Sequence, residues 1–273
     1  MSHTTSHDVR TAVRERYRKA ATTSEGCCGE TSGEDPSCGC DSSGTSVDLG
    51  YTAGELAMLP EGADLVLGCG NPTAIAGIAP GETVLDLGSG GGIDCFLASK
   101  RVGPAGKVIG VDMTAEMISK ARANADRGGY DNVEFRLGEI ENIPAADSSV
   151  DLIISNCVIN LSPDKGRVFA EAFRVLKPGG RLMISDPVLL KPLPENLRDN
   201  VALLTGCIAG AMVKEEYLAE IRNAGFGTVR VESESQYAKQ EHLASLAREA
   251  GISSDTTALV AESVVSVTVF ARK

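Results

Sequence analysis

Eight cysteines and one glycine-rich turn are the parts of this 273-residue chain whose side chains and spacing can carry chemistry. Cys27, Cys28, Cys38 and Cys40 share a short segment made mostly of Gly, Ser and Thr. Cys69, Cys157 and Cys207 each sit in a compact motif: Gly68-Cys69-Gly70-Asn71-Pro72, Ser155-Asn156-Cys157-Val158-Ile159-Asn160-Leu161, and Thr205-Gly206-Cys207-Ile208-Ala209-Gly210-Ala211. Cys95 lies inside an apolar helical pattern, and core packing explains it, because cysteine is among the most buried residue types. Packing is an equal contender for Cys157 taken alone. It weakens once Cys69 and Cys207 are seen in glycine-flanked loops, where a core has no use for a thiol. The stretch 1–20 is charged and has no apolar core, which argues against a secretory signal and for a reducing, cytoplasmic compartment. Clustered thiols in that setting point to metal, metalloid or redox chemistry rather than a disulfide scaffold. Cys27-Cys28 with Cys38-x-Cys40 is not the paired C-x-x-C of structural zinc, so no resident metal is expected.

The glycine-rich turn reads Asp86-Leu87-Gly88-Ser89-Gly90-Gly91-Gly92-Ile93-Asp94 and joins a strand pattern to a helix pattern. Such a turn lets a cofactor approach the backbone at the carboxyl edge of a sheet. Dinucleotide binders use G-x-G-x-x-G/A, and here Ile93 occupies the third position. What stands is G-x-G-x-G at Gly88, Gly90 and Gly92, preceded by Asp86 at the strand end. An acid there disfavours a pyrophosphate and suits a cationic cofactor bearing an amino acid. Asp112 ends the next strand, 24 residues after Gly88, where it can accept hydrogen bonds from ribose hydroxyls. The three histidines, His3, His7 and His242, lie in no catalytic-looking motif.

The elements that must position these groups follow from periodicity. Strand patterns fall at Thr83–Leu87, Lys107–Val111, Val133–Leu137, Val150–Ser155 and Arg181–Ser185, with helical patterns near 93–102, 114–128 and 164–176. Alternating strands and helices imply an α/β fold with a parallel sheet covered on both faces. Lys177-Pro178-Gly179-Gly180 is a turn signal expected to stop the third helix before the fifth strand. Two further strands fit Thr228–Glu232 and Val264–Phe270. A short charged helix is expected over 8–20, with Val9, Val13 and Tyr17 on one face. Residues 21–46 read as a loop, since 19 of these 26 are Gly, Ser, Thr or Cys. Acids outnumber bases 37 to 26, a formal net charge of −11, which excludes a surface built to neutralise nucleic acid. No run approaches the ~20 apolar residues of a membrane span.

Residues 83–113 closely resemble the cofactor half of class I S-adenosylmethionine-dependent methyltransferases. The likeness continues through Gly138-Glu139-Ile140-Glu141-Asn142-Ile143-Pro144, through 150–156 and through Arg174-Val175-Leu176-Lys177-Pro178-Gly179-Gly180. It implies a Rossmann-like seven-stranded sheet with flanking helices and a reversed last strand. It implies S-adenosylmethionine held by Asp86, Gly88, Ser89, Gly90, Gly92, Asp112, Met113, Glu139, Ile140 and Asn156. The three cysteine motifs are similar to those of the arsenite methyltransferases, which bind trivalent arsenic through thiolates. That likeness implies an arsenic site at Cys69, Cys157 and Cys207, with arm thiols Cys27 and Cys28 delivering arsenic or reducing an oxidised site by exchange. Soft trivalent arsenic suits sulfur ligands, and its lone pair can attack the electrophilic methyl in line, so no general base is required. The implied organisation is an N-terminal helix and flexible Cys-rich arm (1–50), a cofactor-binding core (51–190), and a substrate-site cover with the strands completing the sheet (191–273). Segment 190–226 is expected to carry Cys207 on that cover. A monomer served by a glutathione- or thioredoxin-type reductant is expected. Two other readings compete: a methyltransferase of a small organic nucleophile, and a thiol-based metal sensor, against which the cofactor fingerprint argues.

Overall fold

The computed structural model describes residues 6–22, 46–68, 70–193, 197, 208, 210–237 and 251–273. Cys27, Cys28, Cys38, Cys40, Cys69 and Cys207 lie outside them. The central feature is a seven-stranded sheet. Its strands are β1 (Thr83–Leu87), β2 (Lys107–Asp112), β3 (Val133–Leu137), β4 (Val150–Asn156), β5 (Leu176–Leu189), β6 (Thr228–Gln236) and β7 (Val264–Arg272). Their order is β3-β2-β1-β4-β5-β7-β6. Neighbours from β3 to β5 are parallel, and β7 runs antiparallel to both β5 and β6. The Val-rich C-terminal segment is therefore the reversed strand.

Alternation along each strand divides the core, because successive side chains point to opposite faces. Val84, Val108, Leu152, Ile154 and Met183 pack with α4 (Ile93–Val102) and α5 (Ala115–Gly128). Leu85, Val111, Ile153, Leu182 and Ile184 pack on the other face with α6 (Lys165–Val175) and α7 (Lys214–Asn223). Part of the segment expected to cover the substrate site is thus a sheet-packed helix. Tyr217, Leu218 and Ile221 of α7 form an apolar stripe buried against that face, with the Tyr217 ring edge-on to Phe169. Leu193, Leu197, Ile208 and Ala211 gather separately with Val260 and Val264.

The turn signal at 177–180 behaves differently from expectation. It does end α6 at Val175, but the strand resumes at once at Leu176. Leu176 pairs with Val150 and Arg181 with Leu152, so the extra residues bulge out within one strand.

The N-terminal helix α1 (Ser6–Thr22) carries the expected apolar face, and its destination is informative. Val13 is buried with Cys157 and Leu161, and Val9, Tyr17 and Met113 pack around them.

Candidate active site

Parallel strands that diverge to opposite sides leave a crevice at their carboxyl ends. Here β1 has β2 on one side and β4 on the other, and above that edge lies a concave cleft, partly open to solvent. Of the cofactor residues expected from sequence, Asp86, Gly88, Ser89, Gly90, Asp112, Met113, Ile140 and Asn156 line it.

The turn after β1 shows why glycine is required there. Gly88 has φ +74°, and a Cβ on it would stand 2.3 Å from Val158. The Ser89 hydroxyl is buried with no hydrogen-bond partner among the described residues, an unmet polar group facing the cleft. Asp112 fastens the turn to the second strand. One of its oxygens accepts from Gly90 N at 3.0 Å and the other from Thr114 N at 2.8 Å. Burial pushes its carboxyl above the ordinary range, and those backbone N–H groups pull it back. Asp86 is held well above the carboxylate range by burial and by the nearby Asp94 charge. The Cys95 thiol, buried as expected, donates to Asp86 Oδ2 at 3.2 Å.

Two expected cofactor residues do not line the cleft. Gly92 caps the start of α4, where the rings of Phe96 and Phe135 crowd its α-carbon. Glu139 points outward and pairs with Arg14 at 3.5 Å and Arg10 at 3.8 Å. Its neighbour Glu141 lines the cleft instead, accepting from Arg10 at 3.1 Å and from the Ser162 hydroxyl at 2.7 Å. A motif of alternating character cannot reveal which of two acids faces inward.

At the far end of β4 stands Cys157. It has φ +63°, a left-handed backbone that costs a non-glycine residue about 1–3 kcal/mol and is commonest at functional sites. Its N–H donates to Ser185 O at 2.7 Å, and only 4% of the residue is exposed, beneath Val13. Cys157 itself does not line the cleft; its neighbours Asn156 and Val158 do, and the wall also includes Arg10, Val13 and Tyr17 of α1.

Sequence reasoning missed Tyr51 and Asp94, both buried and both on the cleft wall. The Tyr51 hydroxyl donates to Asp94 at 2.9 Å and accepts from Asn156 Nδ2 at 2.9 Å. Burial raises the Asp94 carboxyl to about 6, against the pull of those two partners. Asp94 stands in the first turn of α4, where an acid is common because it suits the helix N-terminus, so its position alone does not mark it.

Residues 78–250 match the family model described as a methyltransferase domain. The arsenite methyltransferase of Halobacterium salinarum is 52% identical over 229 residues, 82% of this chain and 59% of that protein. The human arsenite methyltransferase is 41% identical over 152 residues, covering 52% of this chain and 40% of the human protein. The chain thus spans 59% and 40% of the length of these two curated relatives, less than two thirds of either. The crystal structure of an arsenic(III) S-adenosylmethionine methyltransferase from Chlamydomonas reinhardtii superimposes with a TM-score of 0.65 at 36% identity, covering 84% of this chain and 73% of that one. With its sheet order, its glycine turn and the thiol at the end of β4, the chain belongs to the methyltransferase-domain family and, within it, to the arsenic(III) S-adenosylmethionine methyltransferases.

Proposed function

We propose that this protein transfers methyl groups from S-adenosylmethionine to trivalent arsenic held by cysteine thiolates, giving methylated arsenicals. The carrying observation is that Cys157 and Met113, the residue after Asp112, belong to one apolar cluster with Val13 and Leu161, so that a thiol and the end of β2 share one edge of the sheet. S-adenosylmethionine supplies an electrophilic methyl on a cationic sulfonium. The lining fits it: burial holds Asp86 and Asp94 toward their neutral forms, and a cation beside them would restore their charge, Asp112 is placed for ribose hydroxyls, and Ser89 offers an unmet hydroxyl. Gly88, Gly90, Met113, Ile140 and Asn156 complete the wall, while Gly92 acts through the helix start and Glu139 through the α1 pairs.

Cys157, with Cys69 and Cys207, holds the arsenic. Thiolates suit this soft centre, and three of them would leave its lone pair free to form the As–C bond while the sulfonium S–CH3 bond breaks and the thioether S-adenosylhomocysteine leaves. No side chain need remove a proton from the nucleophile. Cys27 and Cys28 deliver arsenic or reduce an oxidised site, and a glutathione- or thioredoxin-type thiol restores them. Among the described residues no helix is long and apolar enough to cross a membrane. The protein acts as a monomer in this reading, and dependence on reduced thiols supports a cytoplasmic setting.

Incubation with arsenite, a thiol and S-adenosylmethionine, followed by arsenic speciation, tests the reading. Methylated arsenic that requires all three components is expected. Methyl transfer to small organic acceptors with none to arsenic would overturn it.

A further inference from the structure

We propose that Asn160 and Asp186 are positioning residues that hold the turn carrying Cys157, with Tyr217 fixing Asp186 from the α7 side. The proposal rests on reading Cys157 as an arsenic ligand. Cys157 leaves β4 with φ +63°, a backbone that persists only where its surroundings over-determine it. The chain then closes into a 3-10 turn, Ile159–Leu161. Three consecutive residues of β5 engage this turn. Ser185 O accepts the Cys157 N–H at 2.7 Å, and Pro187 O accepts from the Asn160 side-chain amide. Between them stands Asp186, whose Oδ2 accepts from the Tyr217 hydroxyl at 2.7 Å. Burial raises the Asp186 carboxyl, while Tyr217, Lys165 and the backbone N–H groups of Asn160 and Ile159 pull it back. The last two belong to the turn itself. Lys165 closes its far end, donating to Asn160 O at 3.3 Å and to Ser162 O at 3.0 Å.

Stability alone does not account for polar side chains at this place. Asn160 and Asp186 are both buried, and Oδ1 of each has no hydrogen-bond partner among the described residues. An unmet buried acceptor costs about 1–3 kcal/mol, which apolar residues of similar shape would avoid. The neighbourhood is otherwise apolar, since Ile159, Ile184 and Val188 belong to the core cluster on that face of the sheet. What the two side chains supply is direction. Asn160 ties the turn to β5, and Asp186 attracts the N–H groups that follow Cys157, so the left-handed step is held in one arrangement. Asn160, Asp186 and Tyr217 do not line the cleft, so an effect of any of them on the substrate passes through the turn. A sulfur ligand must meet its metalloid at a set angle, and small displacements from remote changes are costly.

Equilibrium dialysis with arsenite and, separately, with S-adenosylmethionine tests the assignment. Asn160→Ala cuts the tie to Pro187 and should lower arsenite affinity about tenfold, with S-adenosylmethionine affinity within about twofold of wild type. Tyr217→Phe keeps the ring against Phe169 and removes only the hydroxyl on Asp186. A loss of about threefold, again confined to arsenite, is expected, and this variant decides if Asn160→Ala folds poorly. In a Cys157→Ser background neither substitution should cost anything further, because residues that act through one thiol are not additive with its removal. Unchanged arsenite affinity in both variants, equal losses for arsenite and cofactor, or an undiminished effect without Cys157 would overturn the positioning role. Wild-type arsenite affinity in Cys157→Ser itself would instead overturn the arsenic-ligand reading beneath it.

Discussion

The cofactor end of the cleft takes most of its wall from one run of chain between Asp86 and Thr114, whereas the end beside the Cys157 turn, here the thiol end, is assembled from α1, Tyr51, the loop at Gly68 and the residues flanking Cys157, which does not itself line the cleft. The first end is made by backbone. Its glycines shape the turn, and backbone N–H groups satisfy both Asp112 oxygens. The second is made by side chains of remote origin: Val13 over Cys157, Arg10 on Glu141, and Asn156 on Gly70. A backbone-built site is rigid by construction. A site closed by an amphipathic helix on weak ion pairs can open.

The contrast is broken most severely at Cys157. Cys157→Ser should abolish methylation of arsenite while leaving S-adenosylmethionine binding nearly intact, because a protonated hydroxyl is a hard donor and a poor arsenic ligand. Wild-type turnover in arsenic speciation would mean that the thiol end is not the substrate site.

Asp112→Ala strikes the other end. Loss of hydrogen bonds to a charged group should weaken cofactor binding by ~1.5–3 kcal/mol with little change in arsenite affinity. Because Asp112 also accepts from Thr114 N, the alanine variant should melt lower than wild type. Asp112→Asn retains one oxygen for that bond but sets its NH2 against the Gly90 N–H, so it should recover only part of the melting temperature and none of the cofactor affinity. Paired cofactor titration and thermal melts separate the two roles.

A third test concerns the support under the thiol end. Asp186 follows Ser185, is fully buried, and accepts from the Tyr217 hydroxyl at 2.7 Å. Burial lifts its carboxyl to about 7. Its unfolded value is ~3.9, so between those values the folded protein binds more protons, and stability falls as pH rises through that window. The slope for one group is at most ~1.4 kcal/mol per pH unit. Asp186→Asn should flatten it. Urea unfolding at mildly acidic and mildly alkaline pH decides, and an unchanged slope would place the titration elsewhere.

The smallest effect is expected from α1. Its Arg10 and Arg14 pairs with Glu139 and Glu141 are partly exposed, and each such pair is worth ~0–1 kcal/mol. Arg10→Ala with Arg14→Ala should speed cofactor release a few-fold at low salt, and salt should erase the difference. Stopped-flow release at two ionic strengths measures it. A salt-independent effect would point to packing by Val13 instead.

The alternation of strands and helices, the glycine turn and Asp112 were legible in the sequence because their contacts are local and periodic. β1 and β3 match the expected spans, and α4 and α5 match to within a residue. The strand bulge at 177–180 was not, since a Pro-Gly-Gly run reads as a break whether or not pairing resumes beyond it. Nor was the inward acid of the Glu139–Glu141 pair, which depends on where Arg10 arrives from 131 residues away. Tyr51 reads as an isolated aromatic until Asn156, 105 residues on, is brought to its hydroxyl. Composition and spacing determine which side chains can do chemistry and which faces are apolar. Which remote groups meet is set by packing, because a periodic pattern shows that a face must be covered but carries no information about what covers it.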